Sequence, residues 1–339
     1  MDMNAWRAQV VEDPLDPALP IIDPHHHLWP TAPIPAFEAY DAEAMIADKG
    51  GCGHNVVATV LVEARSYYRT EGPEELRVVG ETENAEKVAR DALERGGKAA
   101  GLCAGIVAHA DLALGARVGK VLDAHLEASP RFKGIRYITA FDLDLPDWAY
   151  RGPGVLYTSS VREGFAELAR RKLTFDAWMF QPQLPELLDL ARAFPETTIV
   201  LDHVGTPLAV GRFAGQRAAG FDQWKAYMSA ISVCPNIVVK LGGLNMAMTG
   251  LGALGQDRPN TSEEMARLQR DVLLTTIDLF GPSRCMFESN FPVDKLSTSY
   301  GVLWNSFKRV TADFTPAERA EMFFGTANRA YRLGVTVRA

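Results

Sequence analysis

The sequence predicts an α/β fold, a single-domain (β/α)8 TIM barrel with long βα loops, and three observations carry that expectation. Eight short apolar, β-rich runs alternate with longer helix-like stretches. Polar and ionisable residues collect at the C-terminal ends of those runs, the face where barrels of this kind place their chemistry. No GxGxxG turn follows the first run, which weakens an open, doubly wound dinucleotide-binding sheet.

In chain order the runs are PIID (20–23), VVATVLVEA (56–64), AAGLCAGIV (99–107), FKGIRYI (132–138), LTFDAWMF (173–180), TTIVLDHVG (197–205), NIVVKLGGL (236–244) and RCMFESNF (284–291). Helical spacing of apolar residues marks 85–96, 116–129, 161–172, 184–194, 221–232 and 263–281. Strands without a polar face that alternate with helices imply a parallel sheet covered on both sides. Eight such pairs favour closure, because an open sheet of that width leaves two unpaired edges. Residues 1–19 are expected to be an N-terminal extension and residues 20–339 the barrel.

The chain has 339 residues, 47% hydrophobic and 23% charged, with a formal net charge of −7, so neither nucleic acid nor an anionic membrane surface is an expected partner. No apolar stretch reaches the roughly 18 residues a membrane span needs. The acidic start MDMNAWRAQVVEDPLDP does not read as a secretion signal. Cys52, Cys103, Cys234 and Cys285 form no CxxC pair and read as buried thiols of a reducing, cytoplasmic compartment. The expected partner is a small molecule, a lactone or carboxylated cyclic compound. Acidic barrels of this size often pair, which makes a homodimer the candidate assembly.

Chemistry concentrates first in DPHHHLW (23–29). The two-residue period of a strand puts Asp23, His25 and His27 on one side and Pro24 and His26 on the other. His25 and His27 therefore converge on one ion or one substrate oxygen. Further strand ends contribute Glu63 and Arg65, Arg136, Asp176, Asp202 and His203, Lys240, and Glu288 with Asn290. His54, His109 and His125 read as structural or exposed. Trp29, Tyr137, Trp178, Phe180 and Phe291 are candidate pocket walls. The long loops 67–76, 141–159 and 246–264 follow strands 2, 4 and 7, and their Trp148, Tyr150, Tyr157 and Met246 point to a partly apolar ligand.

DPHHHLW resembles the D-x-H-x-H-x-W opening of the amidohydrolase superfamily, and within it the amidohydrolase-2 branch of L-fuconolactonase-like and 2-pyrone-4,6-dicarboxylate lactonase-like hydrolases. KGIRYI (133–138), IVLDHVGTP (199–207), FESNFPV (287–293) and FFGTANRAYRL (323–333) fit the same branch in the same order. The resemblance implies a barrel hydrolase that opens lactones, in some members with a divalent metal and in others without. It departs at Asn290, where the family has an Asp in a G-S-D-W-P-like setting. An amide neither accepts a proton at neutral pH nor replaces a carboxylate on zinc. Glu288, two residues earlier, is expected to point into the barrel and supply the missing carboxylate, with Asp294 as a second candidate.

The expected catalytic set is therefore His25, His27, His203, Glu288 and Asn290. Expected substrate contacts are Arg136, Lys240, Glu63, Asp176, Trp178 and Asp294. A single divalent metal, zinc first, would sit on His25, His27 and His203, and Asn290 makes it the weaker expectation. The leading function is hydrolysis of a lactone or related cyclic ester. The alternatives are a non-oxidative decarboxylase or hydratase of the same superfamily, and a catalytically silent ligand-binding barrel.

Overall fold

The computed structural model describes residues 2–33, 37–145 and 151–336. Eight strands, β1 (Pro20–His26), β2 (Asn55–Val62), β3 (Gly105–Ala108), β4 (Phe132–Ile138), β5 (Thr174–Trp178), β6 (Ile199–Leu201), β7 (Ile237–Leu241) and β8 (Cys285–Phe287), pair in sequence order, every ladder parallel. The circle closes where the chain leaving β8 runs beside β1. His27 N–H donates to Phe291 O at 2.8 Å and Asn290 N–H to His25 O at 3.0 Å. The expected (β/α)8 barrel is what the chain forms.

Helices α1 (Met3–Arg7), α2 (Ala42–Gly51), α3 (Val79–Arg95), α4 (Val118–Ala128), α5 (Ser159–Arg170), α6 (Leu184–Ala193), α7 (Arg217–Ser232), α8 (Ser262–Phe280) and α9 (Tyr300–Val310) include all six helical stretches expected from spacing. Helices α1, α2 and α9 were not among those. In α2 just Met45 and Lys49 are buried, too few positions to set a period. The run AAGLCAGIV is shorter as a strand than expected. Its first half turns through Gly101 at φ +79°, where a Cβ would lie 2.0 Å from Val57 O, and pairing starts at Gly105.

Two layers of packing hold the barrel. Ile22, Ala58, Val60, Val62, Val107, Val200 and Met286 form one buried cluster, joined by Ala327 and Tyr331 from the C-terminal segment. A larger cluster fills the space between the strands and the surrounding helices. The first residues lie against this body: Trp6 Nε1 donates to Gln256 O at 3.0 Å and Arg7 to Lys295 O at 3.0 Å. The four cysteines are free thiols, three of them buried. Among the described residues no helix is long and apolar enough to cross a membrane.

The seam between β8 and β1 is fastened by one carboxylate. Asp23, fully buried, accepts Ser289 N–H (2.9 Å), Ser289 Oγ–H (2.6 Å) and Tyr300 Oη–H (2.8 Å). Burial pushes its carboxyl up to about 6, against the pull of those donors. Asp23→Ala would strand three donors at the seam. We expect it to lower stability by roughly 3 kcal/mol, read as a fall in the urea midpoint at unchanged slope. An unchanged midpoint would mean the seam is held elsewhere.

Candidate active site

A cavity of about 640 Å³ opens at the C-terminal ends of the strands. His27, Glu63, Arg65, Arg136, His203 and Asn290 give it a polar side, and Trp29, Phe37, Ile138, Trp178, Met246 and Val293 an apolar one. Of the expected site residues, His27, His203, Asn290, Arg136, Glu63 and Trp178 therefore border one space. The backbone works to aim them. His203, Val204 and Thr206 all have positive φ (+55°, +49° and +44°), as does Asn290 (+53°). Such conformations are costly for side-chain-bearing residues, above all β-branched ones, and cluster where function fixes geometry. Gly243 makes room: a Cβ there would come within 2.3 Å of the His203 ring.

Period two in β1 delivers the two outer histidines as expected. His25 Nε2 and His27 Nε2 stand 3.2 Å apart, while His26 turns away to Thr59 Oγ1 at 2.9 Å. The His27 Nδ1–H donates to Val62 O at 2.9 Å, so a neutral His27 carries its lone pair on Nε2. Burial, helped by the neighbouring cations Lys240 and Arg136 respectively, holds His25 and His27 well below the usual imidazole range.

Glu288 was expected in the pocket; it lies behind it, fully buried and not among the residues that border the cavity. Its Oε1 is 2.6 Å from His203 Nδ1 and accepts the His203 N–H at 3.2 Å, and its Oε2 is 2.8 Å from His25 Nδ1. Strand β8 ends at Phe287, so alternation no longer governs where Glu288 and Asn290 point. Burial alone would raise the Glu288 carboxyl; the two imidazoles outweigh it and hold it at about 2.

Asp176 and Lys240, expected as substrate contacts, do not border the cavity either. Both are fully buried, joined at 2.7 Å, with Asp202 Oδ1 2.9 Å from the same ammonium. Asp294, expected as a substrate contact and second candidate carboxylate, does not border the cavity; it is buried and bonded to Asn290 Nδ2 and Asn245 Nδ2, each at 2.9 Å. Burial pushes its carboxyl up to about 6. Arg136 is held by Glu63 at 3.0 Å, and its Nη1 is 3.4 Å from His25 Nε2. Among the wall aromatics Trp29 and Trp178 line the cavity, whereas Tyr137, Phe180 and Phe291 pack away from it. Met246 lines it and Tyr157 does not. Trp148 and Tyr150 lie outside the described residues. His54 and His125 are spent on structural hydrogen bonds. The expected catalytic and substrate sets omit Asp23 and Asp202, although both stand among the strand-end residues, and Tyr331 is not singled out at all. Asp202 adjoins His203, and Tyr331 lies in a C-terminal segment whose approach to the barrel interior no local pattern reveals.

The residues fit a divalent cation. Two imidazole nitrogens sharing a tetrahedral zinc at about 2.0–2.1 Å stand roughly 3.3 Å apart, close to the 3.2 Å between His25 and His27. A donor atom each from His25, Asp202 and His203 also lies within 4.8 Å of the others. Charge points the same way: Asp176, Asp202 and Glu288 surround the single ammonium of Lys240, leaving net negative charge beside the histidines.

The Glu63–Arg136 pair is buried, so halving it is more damaging than removing it. Glu63→Gln should cost about 3 kcal/mol of unfolding free energy, and Glu63→Gln with Arg136→Met should recover most of that in denaturant titrations. Equal losses in both would show that the pair is not what the wall depends on.

Residues 22–333 match the family model described as amidohydrolase. An uncharacterized protein, y4mH, of Sinorhizobium fredii is 33% identical over 331 residues, covering 92% of this chain and 98% of that protein. An L-fucono-1,5-lactonase of Burkholderia ambifaria is 29% identical over 215 residues, 62% of this chain and 64% of the lactonase. A zinc-bound amidohydrolase of Burkholderia multivorans superposes with a TM-score of 0.69 at 22% identity, covering 92% of this chain and 99% of that one. With the barrel, the paired β1 histidines and the β6 histidine in place, the chain belongs to the amidohydrolase family.

Proposed function

We propose that this protein hydrolyses the ester bond of a small lactone, with His203 as the group that moves the proton. The observation that carries the reading is the Glu288–His203 pair. Glu288 accepts at His203 Nδ1 from 2.6 Å, behind the ring, and so leaves Nε2 as the basic nitrogen of a residue that borders the cavity. A buried carboxylate behind an imidazole fixes the tautomer and stabilises the imidazolium that forms.

In this reading His203 Nε2 takes a proton from water as the water oxygen bonds to the lactone carbonyl carbon. The carbonyl electrons move onto oxygen, where the Arg136 guanidinium, braced by Glu63 and bordering the cavity, faces the developing charge. Collapse breaks the ring C–O bond, and the leaving alkoxide recovers the proton from His203. The product is a hydroxy acid. Trp178, Trp29 and Met246 supply the apolar wall against which a ring would lie. The 29% identity to an L-fucono-1,5-lactonase supports a lactone as substrate class. Where a divalent metal is bound, His25, His27 and His203 would hold it, and it would polarise the same carbonyl as a Lewis acid. Glu288 would then serve as the carboxylate behind a ligating imidazole.

The test is a panel of aldonolactones and carboxylated lactones, assayed by pH-stat against spontaneous hydrolysis. His203→Asn should lower kcat by roughly 10²–10⁴ with little change in KM, and Glu288→Gln should lower it less. Full turnover by His203→Asn, or no turnover of any lactone by the wild type, would sink the proposal. Metal content of protein purified without added metal, read by elemental analysis, separates the two states of His203.

A further inference from the structure

Lys240 plays no part in the reaction above, yet its ammonium occupies the middle of the charged cluster. Its Nζ is 2.7 Å from Asp176 Oδ2, 2.9 Å from Asp202 Oδ1 and 3.0 Å from His25 Nδ1. Strands β5 and β1 and the turn after β6 thus each bring one donor atom to a single point inside the barrel. Tyr331 closes the cluster from the C-terminal segment: its hydroxyl donates to Asp176 Oδ2 at 2.6 Å and its ring lies 5.6 Å from the ammonium. None of these side chains touches solvent to any extent.

Two carboxylates and an imidazole around one centre form a donor set of the kind divalent transition metals take. The acceptor capacity exceeds what the ammonium uses. Asp176 Oδ1 and both oxygens of Asp202 are buried without an aligned hydrogen bond. An ammonium is a compact point charge on a flexible stem, so it can fill a position built for an ion at somewhat longer contact distances than a metal would. We propose that Lys240 is a tethered cation filling an inner divalent-metal position made by Asp176, Asp202 and His25 Nδ1, and that it excludes an exogenous ion from that position. The outer pair, His25 Nε2 and His27 Nε2, is a separate place on the cavity side of the same ring. This inference does not rest on the lactone reading, and its readouts are metal count and metal position, so the two fail independently.

The test replaces the ammonium and keeps the stem. Lys240→Met, purified with zinc, dialysed and measured by elemental analysis, should carry about one more equivalent of zinc than wild type treated identically. Its thermal midpoint should rise with zinc and fall with chelator by a wider margin than that of wild type. Adding Asp202→Asn to Lys240→Met should remove the extra equivalent. A folded Lys240→Met with the zinc content of wild type overturns the proposal, and so does a variant that zinc cannot bring to fold. Retention of the extra zinc by the double variant overturns it too, by placing the ion elsewhere. Wild-type crystals soaked in zinc and measured at the zinc absorption edge provide a check without mutation. No peak is expected between Asp176 and Asp202, and a peak there with Lys240 displaced refutes the assignment.

Discussion

A carboxylate sealed between two imidazoles is the interaction on which the rest of the site depends. Glu288 has no contact with water, and an ionised carboxylate survives such burial when its lone pairs are matched by hydrogen bonds or opposite charge. It finds both in His203 and leans on His25. That requirement reaches into the next strand. A Cβ at Gly242 would meet Glu288 Cγ at 2.4 Å, and one at Gly243 would meet the His203 ring. The glycine pair after β7 is thus the counterpart of the carboxylate, and the left-handed turn through His203 and Val204 is what brings the imidazole over it.

Charge within the barrel is layered. At the cavity wall Arg136 and Glu63 neutralise each other and keep a guanidinium at hand for an anion or carbonyl oxygen. Deeper, Lys240 answers Asp176 and Asp202. Burial works against the ammonium; the surrounding carboxylates prevail and hold it above the ordinary lysine range. Asp176 moves up to about 6, through burial first and the charge of Asp202 after it, despite Lys240 and Tyr331. Between these layers lie His25 and His27, kept neutral by burial and nearby cations and so equipped to bind an ion through a free ring nitrogen. A ligand entering from solvent meets apolar wall on one side and this ordered stack on the other.

The architecture was legible because buried parallel strands are continuous apolar runs, and all eight runs hold a strand. The convergence of His25 and His27 was legible for the same kind of reason, since strand alternation decides which side a residue faces. Alternation says nothing about depth along the barrel axis. Strands in a closed barrel are staggered, so residues near the ends of different runs stand at different heights. Lys240 and Asp176 face inward as expected and sit one layer too deep to touch a ligand, and Glu288 lies beyond the last paired residue of β8, where the period has ended. Tyr331 closes the inner cluster from more than 150 residues away in sequence from Asp176, a separation no local pattern spans.

Asn290 shows the difference between a lost group and a displaced one. In sequence it replaces an acid with an amide and removes proton-accepting power from the end of β8. In space its Nδ2 donates to Asp294 Oδ1 at 2.9 Å, and Asp294 is held from its other oxygen by Asn245, itself bonded to Gln269 at 3.0 Å. The amide is thereby fixed in orientation, its amine end turned to the carboxylate and its carbonyl left for the cavity it borders. An aspartate at 290 would set two carboxylates at hydrogen-bonding distance in a buried site, where both cannot be ionised together. Asp294 and an acid at 290 are therefore alternatives. With Asn290 in place the carboxylate remains one step back from the ligand, and the proton chemistry at the cavity passes to the imidazole that Glu288 supports.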